Sequence, residues 1–592
     1  MIRGIPGAAA AATLLAVPAM VMAVPSDTVG RLHDLFAREW EWRLVENPFL
    51  GTQTGDHRYD DRLPSVDARD EARRAEETRK FLAELRAIDR AALPFEEQVS
   101  HDIFASQLDE RIRSFEFGEY QMPINADSGF HSGFAQYPQD APRATRADYG
   151  NYLARLRAFP LYMQQNIANM RAGLERGWTV PQVTLKGVEG TIMVHLVRNP
   201  EESVFWGPFR SMPAGMPAEA QQQLRAQGRA VIQDAVIPAY TSFLEFMTRE
   251  YIPGARTTLG ASELPKGKEY YQWQLRNYTT LDMTAEQVHK IGLEQVEGIQ
   301  KEMQEIIRQT AFEGSFADFL KFLRTDPRFY PKTADELLMK ASYIAKRMDG
   351  RLPALFKTMP RMPYTVAPVP EHLAPKYTAG RANGAPFGGT RAGEYWVNTY
   401  ALDTRPLYNL EALTLHEAAP GHLFQGALAE EQENLPRFRR FSYISTYGEG
   451  WGLYSEWLGL EAGFYTDPYS NFGRLTYAMW RACRLVVDTG IHAFGWDRQR
   501  VIDYMAQRTA LSLHEVTTET DRYISWPGQA VSYKIGELKI RELRRKAEAA
   551  LGERFDVRTF HDAVLLNGSV PLPVLEQAID RYIAAAKAAP AS

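Results

Sequence analysis

Apolar residues recur at intervals of three and four along most of this chain, the spacing that lines one face of a helix. In the segment 285–307, AEQVHKIGLEQVEGIQKEMQEII, the residues Val288, Ile291, Ile299, Met303 and Ile306 form one stripe. Thr284 and Gln287 make a capping box at its start. Thr333 and Glu336 repeat that signal for a helix ending near Gly350. YLARLRAFPLYMQQNIANMRAGLERG (152–177) and AEAQQQLRAQGRAVIQDAVIPAYTSFLEFM (218–247) are long amphipathic stretches interrupted by Pro160 and Pro238. Alternation with a period of two is scarce. Its clearest instance is GEYWVNTY, Gly393–Tyr400, preceded by the glycine-rich RANGAPFGGTRAG. The pattern predicts a mainly α protein with a small β-sheet. YIPGARTTLGASELPKG (251–267) is the best boundary between an N-terminal helical lobe, 24–260, and a second lobe, 261–592.

Composition changes this picture little. With 592 residues, 45% hydrophobic and 24% charged, the chain can bury a large core. A net charge of −5 gives no reason to expect nucleic acid or an anionic membrane as partner. The first 23 residues read differently: Arg3 precedes the apolar run AAAAATLLAVPAMVMA, with small residues near Ala23. That is the form of a secretory signal peptide over 1–23, so an exported protein, periplasmic or secreted, without stable membrane insertion is expected. The single cysteine, Cys483, excludes an intrachain disulfide and a thiolate metal cluster. Any metal ligands must be His, Glu or Asp.

His416–His422 reads HEAAPGH. Zinc peptidases commonly place H-E-x-x-H on one helix, so that both imidazoles face one ion. Residues six apart on a regular helix point about 120° away from each other. Pro420 and Gly421 offer a local widening that would absorb two residues and return His422 to the face of His416. Glu417 then occupies the place of a general base for the attacking water. His514–Glu515 has no second histidine at a useful spacing and reads as structural. Downstream, YGEGWGLYSEWLGLE carries Glu449 and Glu456, seven apart and so on one helix face, amid aromatic and aliphatic residues. Two such carboxylates are costly to bury unless paired or metal-bound. One could ligate zinc while the other orients a ligand histidine.

LHEAAPGH, GEGWGLYSE, RLVVDTGIHAFGW and WPGQAVSYKIGELKI, in this order, resemble the signature segments of the bacterial family called domain of unknown function 885. The likeness runs from about residue 48 to about 585. That family is similar to gluzincin metallopeptidases: the neurolysin-like oligopeptidases, angiotensin-converting enzyme and the thermostable zinc carboxypeptidases. The resemblance implies a two-lobed helical fold with a deep cleft, and zinc held by His416, His422 and Glu449, with Glu456 behind them. It departs from the family at Leu423, where a further histidine is common, and from the related peptidases in the Pro-Gly insertion.

Within that frame Tyr533 is the candidate donor to the oxyanion, with Tyr523 a weaker one. Arg484, Asp488 and His492, four apart, would form either a stripe that supports the site and binds substrate, the favoured reading, or a buried salt bridge, and Asn398 would bond the substrate backbone. Arg484 and Lys534 would hold a free C-terminal carboxylate. The expected function is an exported zinc peptidase that cleaves short peptides, as a carboxypeptidase or oligopeptidase. The alternatives are a zinc hydrolase of non-peptide amides or esters, and a catalytically inactive peptide-binding protein on the same fold.

Overall fold

A computed structural model describes residues 26–371 and 373–589, so the expected signal peptide lies outside the described residues. The protein is mainly helical and carries one small three-stranded sheet. Helices begin where side chains satisfy the free N–H groups of the first turn. Gln287 N–H donates to Thr284 Oγ1 (3.3 Å) and Thr284 N–H donates to Gln287 Oε1 (2.8 Å), which starts helix Ala285–Gln309. Val288, Ile299, Met303 and Ile306 are buried on it, and Ile291 partly so. Thr333 caps Ala334–Asp349 in the same way, but the Glu336 carboxylate accepts from Lys332 N–H and leaves that box open.

Neither proline ends its helix. Pro160 lies inside the continuous helix Arg146–Glu175. Ahead of Pro238 the chain widens into a π turn, Ile232–Val236, which absorbs the missing N–H donor before Ile237–Phe246 continues.

The apolar core divides differently from the lobes expected to meet at residue 260. One cluster is built from residues between Ile124 and Ala255. A larger one unites residues from Leu32 to Ile112 with residues from Ala261 to Ile583, and Trp178 reaches into it from the middle segment. The first helices therefore belong with the C-terminal half: Phe36 and Phe104 pack on Phe438, and Arg439 donates to Ser100. The boundary stretch does follow the end of the smaller core at Ala255. The segment before it is an insertion between two halves of the larger core.

The sheet holds β1 (Tyr364–Pro368), β2 (Gly380–Asn383) and β3 (Gly393–Val397) in the order β1-β3-β2. β3 runs parallel to β1, with Val366 opposite Tyr395, and antiparallel to β2, with Arg381 opposite Trp396. The strand expected over Gly393–Tyr400 thus stops at Val397 and is central. β2 forms one edge of the sheet. Two helices complete the frame: Ser445–Leu458 crosses Ser532–Leu551 where Gly450 meets Gly536, so closely that a methyl on Gly450 would lie 2.5 Å from the Gly536 backbone.

Candidate metal centre

His416 ends helix Leu410–Glu417, and His422 begins a second helix, His422–Glu430. The expected widening of one helix is instead a break. Residues 418–421 cross between two short helices, through a cis Ala419–Pro420 bond. Gly421 is required there, because a Cβ on it would lie 1.8 Å from the His416 carbonyl oxygen. Trp451 Nε1–H donates to the Pro420 carbonyl (2.7 Å) and pins the break to helix Ser445–Leu458. The result is the one that the spacing called for. The two imidazoles meet, with ring centroids 4.7 Å apart.

Glu449 faces both histidines. His416 Nε2 lies 3.3 Å and His422 Nε2 3.2 Å from the same Glu449 Oε2. One ligand atom from each of the three lies within 4.8 Å of the others, the only such group of three or more among the described residues. Glu456, two turns further on, contacts the far side of His416: its Oε1 lies 2.8 Å from Nδ1. Arg481 Nη2 holds the same Oε1 at 3.1 Å. Gly452, between the glutamates, is where the His416 ring lies; a Cβ there would be 2.5 Å from the ring. The glycines of GEGWG thus admit an imidazole and a neighbouring helix.

Burial would push the His416 imidazole down, but the carboxylates of Glu449 and Glu456 override this and raise it to about 10. Burial likewise works against the Glu449 carboxylate, yet His422 and His416 hold it well below the usual range. The donor set passes a test of fit for zinc: two imidazole nitrogens and one carboxylate oxygen converge, and the second nitrogen of His416 is oriented by a carboxylate. A divalent cation would compete with protons for these groups.

The cluster forms part of the wall of a cavity of about 610 Å³. Glu417 lines it beside His416, and its Oε2 accepts from Ala382 N–H of β2 (2.8 Å). Tyr533 lines it too. Its hydroxyl oxygen accepts from Arg522 Nη2 (3.1 Å) and Gln529 Nε2 (3.4 Å), which leaves the phenolic proton to be given. Tyr523 is committed elsewhere: its hydroxyl accepts from Trp480 Nε1 and Arg484 Nε, both at 2.7 Å.

The remaining expected site residues divide. Arg484 lines the cavity, but Glu519 takes its Nη2 (2.9 Å) and the guanidinium stacks on Trp480 and Tyr533. It supports the wall, and with Nε and Nη2 engaged only Nη1 is without a partner among the described residues, so no pair of donors is left for a carboxylate. Asp488 is fully buried and accepts from Tyr271 Oη (2.7 Å) and Gly528 N–H (3.2 Å). His492 accepts from Ala261 N–H (3.0 Å) and lies 2.9 Å from the Tyr523 carbonyl. Both tie helix Pro468–His492 to its neighbours and do not line the cavity. The Asn398 carboxamide donates to the carbonyls of Ala374, Tyr377 and Thr378, and so holds the loop leading into β2. Lys534 points into a separate cavity of about 370 Å³ and donates to Glu537 (2.6 Å). Turns of one helix share a face only as far as the neighbours packed on it allow, which four-residue spacing cannot show. Glu515 of the HE decoy is buried near Arg405.

Three cavity residues carried no sequence signal. Arg381 and Ala382 belong to β2, hidden in the glycine-rich stretch before the expected strand, and Tyr443 precedes the glutamate helix, its ring 6.3 Å from that of His422.

The fold and this centre define a mainly helical protein with a two-histidine, one-glutamate cluster on a cavity wall. The chain belongs to a bacterial family of unknown function, DUF885, whose profile matches residues 48–579. It is similar to a "putative lipoprotein" from Colwellia psychrerythraea of known crystal structure, at 29% identity and TM-score 0.88, over 94% of this chain and 99% of that one. A "putative lipoprotein of unknown function" from Shewanella oneidensis has the same fold at 19% identity and TM-score 0.66, over 93% and 99% of the two chains. No curated protein matches the sequence.

Proposed function

We propose that the protein is a zinc-dependent peptidase of the gluzincin type, acting on short peptides in the cavity between its helical layers. The observation that supports it is the convergence of His416 Nε2, His422 Nε2 and a Glu449 carboxylate oxygen beside Glu417 on one cavity wall. Zinc, when bound, supplies Lewis acidity toward a carbonyl and toward water. Glu417, fixed by the Ala382 N–H through one oxygen, keeps the other for taking a proton from the attacking water and passing it to the leaving amine. Tyr533, with its oxygen held by Arg522, donates its proton toward the carbonyl oxygen as charge develops there. Glu456 keeps His416 in the orientation that presents Nε2. Glu417 is what favours an enzyme over a binding protein on this fold, since binding needs no base. Export forms part of the same proposal, supported by the apolar run before Ala23 and by the "putative lipoprotein" relatives. The proposal does not extend to a cysteine-linked lipid, because Cys483 is buried.

Metal analysis of purified protein, paired with digestion of an unbiased peptide library, tests the proposal. The expected result is about one zinc per chain and peptide cleavage. Glu417→Gln should lower kcat by a factor of about 10² to 10⁴, the span of general base catalysis, with zinc retained. Unchanged cleavage by that variant would refute the mechanism; a metal-free protein that cleaves peptides would refute the zinc.

A further inference from the structure

Four arginines line the cavity, and three are already engaged. Arg481 pairs with Glu456, Arg484 with Glu519, and Arg522 with Glu519, Gln529 and Tyr533. Arg381 differs. It lies on β2, the residue before the one whose N–H holds Glu417, and its side chain keeps 44% of its accessible surface. Its one ion pair is loose: Nη2 stands 3.9 Å from Asp127 Oδ2, beyond hydrogen-bonding distance. The guanidinium also stacks over the Tyr377 ring, 5.1 Å from its centre. Asp127 and Tyr377 fix where the fork stands, and no carboxylate among the described residues closes on it within hydrogen-bonding distance. Behind it, Arg522 and Arg484 share the single carboxylate of Glu519.

From this geometry we infer that Arg381 is a specificity residue: it grips a carboxylate of the substrate, in the same cavity as Glu417 and the metal cluster. The inference rests on the peptidase reading for what the substrate is, but not for the binding itself. A guanidinium gives two parallel N–H donors to a carboxylate, a match that an ammonium cannot make. Because Arg381 sits on an edge strand, a peptide lying extended along β2 advances about 3.3 Å per residue. A bound carboxylate therefore sets which peptide bond reaches Glu417. The carboxylate is either the chain terminus or an acidic side chain, and the chemistry at Arg381 is common to both. Arg484 and Lys534, the cations singled out by sequence spacing, are closed by Glu519 and Glu537.

The test uses the full-length protein and three tetrapeptide libraries: free acids, C-terminal amides without acidic residues, and such amides with one Glu. Binding competition and cleavage are both measured. Wild type should prefer the free acids, or the Glu-containing amides, over plain amides by about 10–100-fold, the value of a hydrogen bond to a charged group. Which library wins identifies the carboxylate. Arg381→Gln should erase the preference, and Arg381→Lys should restore only part of it. Equal binding of all three libraries by wild type, including no binding of any, overturns the inference, as does a preference that survives Arg381→Gln. A carboxylate preference in binding without cleavage would instead sink the peptidase reading and leave Arg381 its role.

Discussion

Two buried polar clusters share the C-terminal half of the protein, and they are built in opposite ways. Around Asp488 and His492 every contact is a donor meeting an acceptor: Tyr271 Oη and Gly528 N–H on the carboxylate, Ala261 N–H on one imidazole nitrogen and the Tyr523 carbonyl on the other. Burial pushes Asp488 up to about 7 and His492 down to about 3, so both are favoured neutral. Around Glu449, Nε2 of His416 and Nε2 of His422 both crowd one carboxylate oxygen, at 3.3 and 3.2 Å, an arrangement that suits a cation as well as a proton. The first cluster is closed and has no cavity, whereas the second opens onto one. Burial and perturbed acidity are common to both, so neither identifies a functional site. What sets the second cluster apart is that its groups converge on a cavity.

The comparison can be broken most severely at the candidate metal centre. Gly452→Ala forces a methyl into the His416 ring and should abolish metal binding while the chain stays folded. Metal content after dialysis, with circular dichroism as control, measures this; a stoichiometric metal in Gly452→Ala would show that His416 is not a ligand. Glu456→Gln should be milder, weakening metal affinity or turnover by about 10–100-fold, as loss of an orienting carboxylate does. If it empties the site while Glu449→Ala does not, the two glutamates have exchanged roles.

The closed cluster should answer in stability alone. Asp488→Ala strands the Tyr271 hydroxyl and the Gly528 N–H, at a cost of about 1–3 kcal/mol, with metal content unchanged. Chemical denaturation and metal analysis of one preparation decide it, and loss of metal would merge the two clusters. The smallest effect is in pH. The folded-state value of His492 lies below the unfolded one, so it costs nothing above about pH 6.5, and stability falls as pH drops toward 3 because only the unfolded chain takes up the proton. At pH 5 this amounts to about 2 kcal/mol. Whatever deficit His492→Gln shows at pH 7.5 should therefore shrink by about that much at pH 5. A constant deficit would mean that His492 is not held neutral.

What could be read from the sequence alone was what depends on near neighbours in the chain. The helix over 285–309, its capping box and the stripe Val288–Ile306 follow from spacing, because the i to i+4 geometry of a helix is local. The meeting of His416 and His422 was also foreseeable, though not its form, since a Pro-Gly pair states that the helix is interrupted but not whether it bulges or restarts. The seven-residue spacing of Glu449 and Glu456 put both on one face. Which faces both histidines, and which the rear of one, depended on how helix Ser445–Leu458 lies across the break.

Other features were decided by tertiary packing only. β2 has no alternation to read in Gly-Arg-Ala-Asn and is a strand because β3 offers it a partner. Arg484, Asp488 and His492 follow one helical rhythm, yet Glu519, Tyr271 and Ala261 give each a different surrounding. Lys534 and Tyr533 adjoin in sequence and face different cavities, since consecutive helical residues point about 100° apart. Spacing along the chain sets which side chains can share a face. What that face meets is set by other segments of the chain, 27 and 35 residues away for His422 and Glu417 and 231 for His492, and for this protein that is where the candidate site was determined.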